Sequence, residues 1–422
     1  MNILDRIKNK TIFANKYHTD SEAVIVSCFF NPQNSYYRTQ AFKIFYESIK
    51  HLNHYIIECV IGDALPELEE NEHIKRIYTK SLLWHKESLI NKAVSELPEK
   101  YRYIFWLDAD VIFKNLDWMV EGVEQLQEMK IIQPFEYCVH LEKDETEPSF
   151  SMERMLKTSL PNKLNNKVWR SFCANYTTST HWQDKDYNTH GHVGFAWAAR
   201  REVLDEMPLY DKALIGGADH IIAHAAAGQI PHDCITKSFT DNIEEVNAWS
   251  ERFFRVVRGD IGYVIGELYH IWHGDIVNRQ YLKRIQDFTV KTKEITERDK
   301  NGLYVSNENH EKYMSKYFDQ REVTSQSQPG NDGFVQSMMI GYMTDSTVIG
   351  AAVGGNVVGA MIGDMLNDNN NAQNIESATN NSPNTEFGGG EFGGAGAGGT
   401  WEDNSSANQQ SDNSNASDNP FS

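Results

Sequence analysis

Two carboxylates one residue apart, Asp108 and Asp110, follow the apolar run YIFWL (103–107) and precede Val111-Ile112-Phe113. In an extended segment such residues point to one side, and Mg²⁺ or Mn²⁺ takes oxygen ligands at that kind of spacing and can bridge to a phosphate. The tripeptide alone is a common solvated turn; what marks it is its place at the carboxyl end of a buried strand. Farther on, Asp219 follows Gly216-Gly217 in GGADH (216–220). The glycines permit close backbone approach, so Asp219 either projects into a cleft or caps the next helix. His273, between Trp272 and Gly274, offers a neutral imidazole as a further ligand for Mn²⁺, with His270 as runner-up; its plain alternative is a packed histidine. Lys86, Arg279 and Arg284 are cations able to meet a diphosphate, and Arg279, six residues past His273, suits a closing loop. His190 and His192 flank Gly191 without a carboxylate partner, and no second metal site is expected there.

The elements that must position these residues read as alternating strand and helix. AVIVSCFF (23–30) is a buried first strand, Tyr36 to Leu52 has helical spacing, and YIIECVIG (55–62) and Ile74–Tyr78 are strands. Leu83, Leu89, Ile90, Ala93, Val94 and Leu97 form one face of a helix that stops at Pro98, and the run 103–107 is a fourth strand. Near-continuous apolar strands with helices between them mean an α/β, mostly parallel sheet covered on both faces, with its ligand at the strands' carboxyl ends. Residues 135–190 read as loops, 191–207 as a strand and a helix, 216–228 as a small-residue helix, 261–272 as one strand, and 278–298 as a charged helix.

With these motifs in view, the run WHKESLINKAVSELPEKYRYIFWLDADVIFKNLDW (84–118) resembles the donor-binding half of a GT-A glycosyltransferase, its helix bearing Lys86, Glu87 and Asn91. HVGFAWAARREVL (192–204), GGADH (216–220) and LYHIWHGDIVNRQYLKRIQDF (268–288) follow in the order such enzymes use. This second half is similar to the beta-1,4-galactosyltransferase and polypeptide N-acetylgalactosaminyltransferase catalytic region, and the resemblance spans roughly 23–320. It implies a GT-A, Rossmann-like fold, a nucleotide-sugar donor (a UDP-hexose), a carbohydrate, lipid or protein acceptor, and Mn²⁺ or Mg²⁺. Asp108 and Asp110 become the metal-side carboxylates, with Asp110 the direct ligand, and His273 completes the metal shell. Lys86, Asn91, Asp108 and Arg279 fall on the donor side. Asp219 takes the position of a catalytic base, which inversion would require within reach of the acceptor hydroxyl. Gly217 and His220 fall on the substrate side, as do Phe195 and Trp197, which bracket Ala196 in an apparent strand and present either a sugar platform or core packing. Ala218 stands where that family has Glu and His220 where it has Asp, so the acceptor contact there differs.

The whole chain has 422 residues and a formal net charge of −19. Residues 323–422 hold eleven acidic residues, no Lys or Arg, and 16 of the 28 glycines, which leaves −8 on the first 322. Such a balance speaks against a nucleic-acid partner, which needs clustered cations. Five scattered cysteines without a CxxC pair argue against a disulfide framework, and the N-terminus lacks the apolar core of a signal peptide; both favour the cytoplasm. The expected organisation is an extension at 1–22, a catalytic domain at 23–322, an apolar glycine ladder at 323–366 suited to self-association, and a low-complexity Gly/Asn/Ser-rich tail at 367–422 that is expected to be disordered. Two other readings follow: an assembly protein that works through that tail, and a nucleotidyltransferase, which ranks low because the first strand ends in Phe-Phe-Asn-Pro-Gln-Asn instead of a glycine-rich phosphate loop.

Overall fold

The computed structural model describes residues 22–153, 163–164, 167–184, 187–239, 241–274 and 292–322. The first half of the chain alternates strand and helix: β1 (Ala23–Phe29), α1 (Tyr36–Ile49), β2 (His54–Ile61), β3 (Ile74–Thr79), α2 (Lys86–Glu96), β4 (Tyr103–Leu107), β5 (Val111–Phe113), α3 (Trp118–Glu128), β6 (Ile131–Gln133) and β7 (Tyr137–His140). Then come β8 (Lys163–Leu164), β9 (Val168–Arg170), α4 (Phe172–Thr178), α5 (Tyr187–His190), β10 (Ala196–Arg200), α6 (Arg201–Glu206), α7 (Ala218–Ala227), α8 (Asp233–Ser238), α9 (Ile243–Val257), β11 (Ile261–Tyr263), β12 (Glu267–His270) and α10 (Glu308–Glu322).

The main sheet has seven strands in the order β11-β6-β10-β4-β1-β2-β3, and only β10 runs against its neighbours. β-branched and aromatic residues make its central strands, which are buried on both faces. Alternate residues feed two cores: Val24, Val26, Ile104 and Trp106 pack with α2, α7 and α9 on one face. Ala23, Ile25, Phe105 and Leu107 pack with α1 and α3 on the other. The mostly parallel, doubly covered sheet expected from the sequence is therefore what forms. After β1 the chain builds outward through β2 and β3, then returns to place β4 on the other side of β1. That reversal of strand order is where an α/β sheet opens a crevice at its carboxyl edge.

A second, five-stranded sheet, β5-β12-β7-β9-β8, draws most of its strands from stretches not read as strands in the sequence. Residues 135–190, read as loops, supply three of its strands and two short helices, because strands of two to four residues are too short to display a period. The single strand expected over 261–272 is two strands in different sheets, separated by a turn at Gly266, whose φ of 148° an L side chain rarely adopts. The charged helix expected over 278–298 lies mostly outside the described residues; within them, Thr292–Glu294 is a short 3₁₀ turn and Arg298 bridges to Tyr304. The N-terminal extension, the glycine ladder and the low-complexity tail also lie outside the described residues. Among the described residues no helix is long and apolar enough to cross a membrane.

Candidate active site

β4 ends at Leu107, and Asp108-Ala109-Asp110 turns the chain from the main sheet into β5 of the second sheet. The turn separates the two carboxylates. Instead of sharing one side, Asp108 faces Lys86 on α2, and Asp110 faces His270 at the end of β12 and His273 three residues beyond.

Around Lys86 the site is crowded with charge. Its Nζ donates to Asp108 Oδ1 at 3.0 Å and to both oxygens of Asp219, Oδ2 at 3.0 Å and Oδ1 at 3.2 Å, with Glu87 Oε1 at 3.8 Å. Burial alone would make the ammonium easier to deprotonate, but Asp108, Asp219 and Glu87 outweigh it and hold Lys86 protonated well above the ordinary lysine range. Burial pushes Asp108 up to about 6, opposed by Lys86 and reinforced by Asp219 and Asp110. Burial likewise pushes Glu87 up to about 8, with Lys86 opposing and Asp219 reinforcing. With Glu87 holding its proton below about 8, Asp108 and Asp219 share the one ammonium. Its placement follows from local structure: Lys86 opens α2, and Asp219 sits in the first turn of α7. Gly216 and Gly217 precede that helix at φ 90° and 98°, a pair of conformations that only glycine adopts cheaply.

Among the described residues the second group includes no Lys or Arg; it is made of Asp110 and two histidines. Asp110 Oδ2 lies 2.9 Å from His273 Nε2 and 3.9 Å from His270 Nε2, and Asp110 Oδ1 is buried without a hydrogen-bond partner among the described residues. One carboxylate oxygen and two imidazole nitrogens lie within 4.8 Å of one another. That donor set fits a divalent cation of the Mn²⁺ type, and an orphaned buried carboxylate oxygen is what such a cation would satisfy.

Several residues expected at this site sit elsewhere or do something else. Phe195 and Trp197 do not share a face. Phe195 has φ 79°, which breaks the strand alternation just before β10, so it joins one core and Trp197 the other. Trp197 stacks on Trp106 and donates to Val193 O. Phe195 lies stacked between His192 at 4.3 Å and His270 at 4.9 Å, and its carbonyl accepts from Asp108 N–H at 2.8 Å. Both rings are thus buried walls, not platforms, though Phe195 backs the metal-side histidine. Asn91 is a brace: its amide donates to Leu209 O and accepts from Leu209 N–H, joining α2 to the chain after α6. His220 is 2 % exposed and points into a group of histidines, where burial keeps its imidazole neutral. Asp219, expected to face a cleft, is also 2 % exposed, with both oxygens on Lys86. Gly217 serves as the turn before α7. Arg279 and Arg284 lie outside the described residues.

Sequence reasoning gave no role to Glu87 beyond its place on the helix, although a second acidic residue beside the site lysine was the available signal. His140, packed on His270 at 4.9 Å, carried none. Tyr37 and Lys143 reach the same edge, Tyr37 meeting Trp272 edge-on at 4.8 Å and Lys143 lying over both rings. A separate polar cleft of about 300 Å³, lined by Arg102, Tyr103, Arg200, Arg201, Glu202 and Asp205, lies at the opposite end of β4 and contains none of these groups.

No protein-family model matches the chain, and no curated protein does. Among solved structures the chain is similar to glucosyl-3-phosphoglycerate synthase from Mycobacterium tuberculosis, in complex with Mn²⁺, uridine diphosphate and glucosyl-3-phosphoglycerate, at 10% identity and a TM-score of 0.31, over 66% of this chain and 84% of that one. Mannosyl-3-phosphoglycerate synthase from Rubrobacter xylanophilus matches at 10% identity and 0.30, over 72% and 88%. A 4-diphosphocytidyl-2C-methyl-D-erythritol synthase from Anaerococcus prevotii matches at 7% identity and 0.25, over 70% and 96%.

Proposed function

We propose that this chain is a metal-dependent glycosyltransferase of the GT-A kind, moving a hexose from a nucleotide-sugar donor, UDP-linked, to an acceptor hydroxyl. The observation that carries this reading is Asp110 at the crevice of the sheet, with a buried unpartnered oxygen and two histidines converging on it. Asp110, His273 and His270 would hold Mn²⁺ or Mg²⁺, which when bound neutralises charge on a departing diphosphate. The remaining work belongs to the chain. Lys86 takes one oxygen of Asp108 and so fixes the orientation of that carboxylate beside the donor. Asp219 and Glu87 hold Lys86 charged, and Phe195 presses His270 into line.

The inverting reading assigns Asp219 as the base. Both of its oxygens hold Lys86, so that role requires one of them to be released on substrate binding, whereas transfer with retention needs no base there. The anomeric configuration of the product, read by NMR before mutarotation, separates the two. The scattered cysteines favour the cytoplasm as the site of action. Self-association through 348–366 is a separate expectation, checked by the sedimentation of a chain ending at residue 322.

The test of the main reading is incubation of the full chain with Mn²⁺ and a panel of UDP-sugars. Nucleotide release is expected with one donor above the rest and should be lost in Asp110→Ala. Equal, slow release by both proteins with every donor would sink the proposal.

A further inference from the structure

The short helix α5, the middle of α7 and the start of α8 each bring one soft or borderline ligand to a common point: His190, His224 and Cys234. These residues lie outside the group already described. His190 and His224 are essentially inaccessible, while Cys234 is half-buried and opens the point toward solvent. Their ligand atoms lie within 4.8 Å of one another.

We propose that His190, His224 and Cys234 form a binding site for Zn²⁺ that is separate from the Asp110 centre, with water in the fourth position. The distances suit it. Cys234 Sγ is 3.7 Å from His190 Nε2. Two ligands on one tetrahedral zinc, with Zn–N about 2.0 Å and Zn–S about 2.3 Å, stand about 3.5 Å apart. The tautomers suit it too. His190 Nδ1–H donates to Gly191 O at 2.8 Å, and His224 Nδ1–H donates to Gln229 Oε1 at 2.7 Å. In both rings this leaves Nε2 as the lone-pair nitrogen, and a hydrogen bond on the opposite nitrogen is how metal-binding histidines are usually oriented. His224 Nε2 is buried without a hydrogen-bond partner. His232 accepts from Cys234 N–H through Nδ1 and stacks on His224 at 3.8 Å, so it frames the site without entering it.

The donor set is what separates the two centres. The Asp110 centre offers a carboxylate that suits Mn²⁺ besides its imidazoles, while the thiolate here, with two imidazoles, adds a soft ligand that favours zinc over Mn²⁺. Zinc at this point ties α5 and α8 to α7, whose first turn carries Asp219 onto Lys86. The site thus braces the helix that holds the buried ion pair, and it does so whether or not the glycosyl-transfer reading stands.

The full-length chain is purified, exposed to excess Zn²⁺, desalted and assayed for metal. About one equivalent is expected in Asp110→Asn, whose other centre is disabled, falling at least tenfold in occupancy when Cys234→Ser or His224→Ala is added to that variant. Substitution with Co²⁺ should give the thiolate-to-metal charge-transfer absorption, absent in Cys234→Ser. Because a folding defect in those variants would also remove zinc, the wild type supplies a second readout: zinc should shield one thiol from a thiol reagent, and a chelator should expose it again. Retention of no zinc by the wild type, or a cobalt spectrum without a thiolate band, overturns the proposal and leaves a plain Cys234–His190 hydrogen bond. Zinc bound equally when Cys234→Ser is added to Asp110→Asn, or lost in Asp110→Asn itself, overturns it as well.

Discussion

Asp108 and Asp110 are the same residue type, two positions apart, and they end in opposite surroundings. Asp108 meets a cation that the fold supplies: Lys86, gripped by Asp219 and flanked by Glu87. Asp110 meets two imidazoles and, among the described residues, keeps one buried oxygen without a hydrogen-bond partner, which on the proposed reading is where an added metal ion would bind. On the proposed reading, one half of the motif serves charge balance and orientation, and the other half would bind the ligand. A buried charge without its partner costs several kcal/mol, so the first half should be intolerant of losing Lys86, whereas the second, on the proposed reading, would gain its partner only when an ion binds.

The sharpest way to break this contrast is Lys86→Met. It keeps the packing of the stem but strands Asp108 and Asp219, and denaturant unfolding should show a loss of about 3–5 kcal/mol, the usual effect of removing one partner from a buried ion pair. A loss under about 1 kcal/mol would mean the carboxylates simply take up protons and the cluster is not a charge-balanced unit. On the other side of the motif, Asp110→Asn should leave the unfolding midpoint nearly unchanged. It should lower Mn²⁺ affinity, read by calorimetry, and reduce transfer about a hundredfold, equivalent to roughly 3 kcal/mol of transition-state stabilisation.

Glu87 gives a smaller, pH-dependent effect. Its carboxyl is raised to about 8 in the folded protein against an ordinary value near 4.5, so the folded state holds a proton that the unfolded state has released. Its contribution is complete below the unfolded value and declines as pH rises through about 8. Thermal unfolding of the wild type should therefore lose roughly 2–4 °C more between pH 6 and pH 9 than that of Glu87→Gln. An identical pH slope in the two proteins would place the titration elsewhere. Smallest of all, a chain ending at residue 322 should keep the donor turnover of the full chain, since both carboxylate environments lie among residues 86–273. A large loss would favour the assembly reading, in which the last hundred residues carry the function.

Much of this was legible before any coordinates. Apolar runs at 23–30, 55–62 and 103–107, with helices between them, specify a parallel sheet, because strands buried on both faces must be apolar throughout. The position of Asp108 and Asp110 just past a strand, and the glycine pair before Asp219, were equally visible. What stayed hidden depended on short elements and on backbone exceptions. β5, β7, β9 and β12 have three or four residues each, too few for a period to show. Phe195 was assigned to the face of Trp197 because strands alternate, and its positive φ cancels that rule at one residue. Asn91 and His220 were placed by their spacing from recognisable residues, yet hydrogen bonding and burial gave them to Leu209 and to the histidine group.

Composition, strand pattern and motif order determined the α/β architecture and the neighbourhood in which chemistry would occur, since both follow from local burial and chain direction. Only the tertiary structure decided which carboxylate faces Lys86 and which faces His270 and His273. That choice depends on Lys86, Asp219, His270 and His273, which are far apart along the chain, and burial sets its size by removing the water that would otherwise screen every one of those charges.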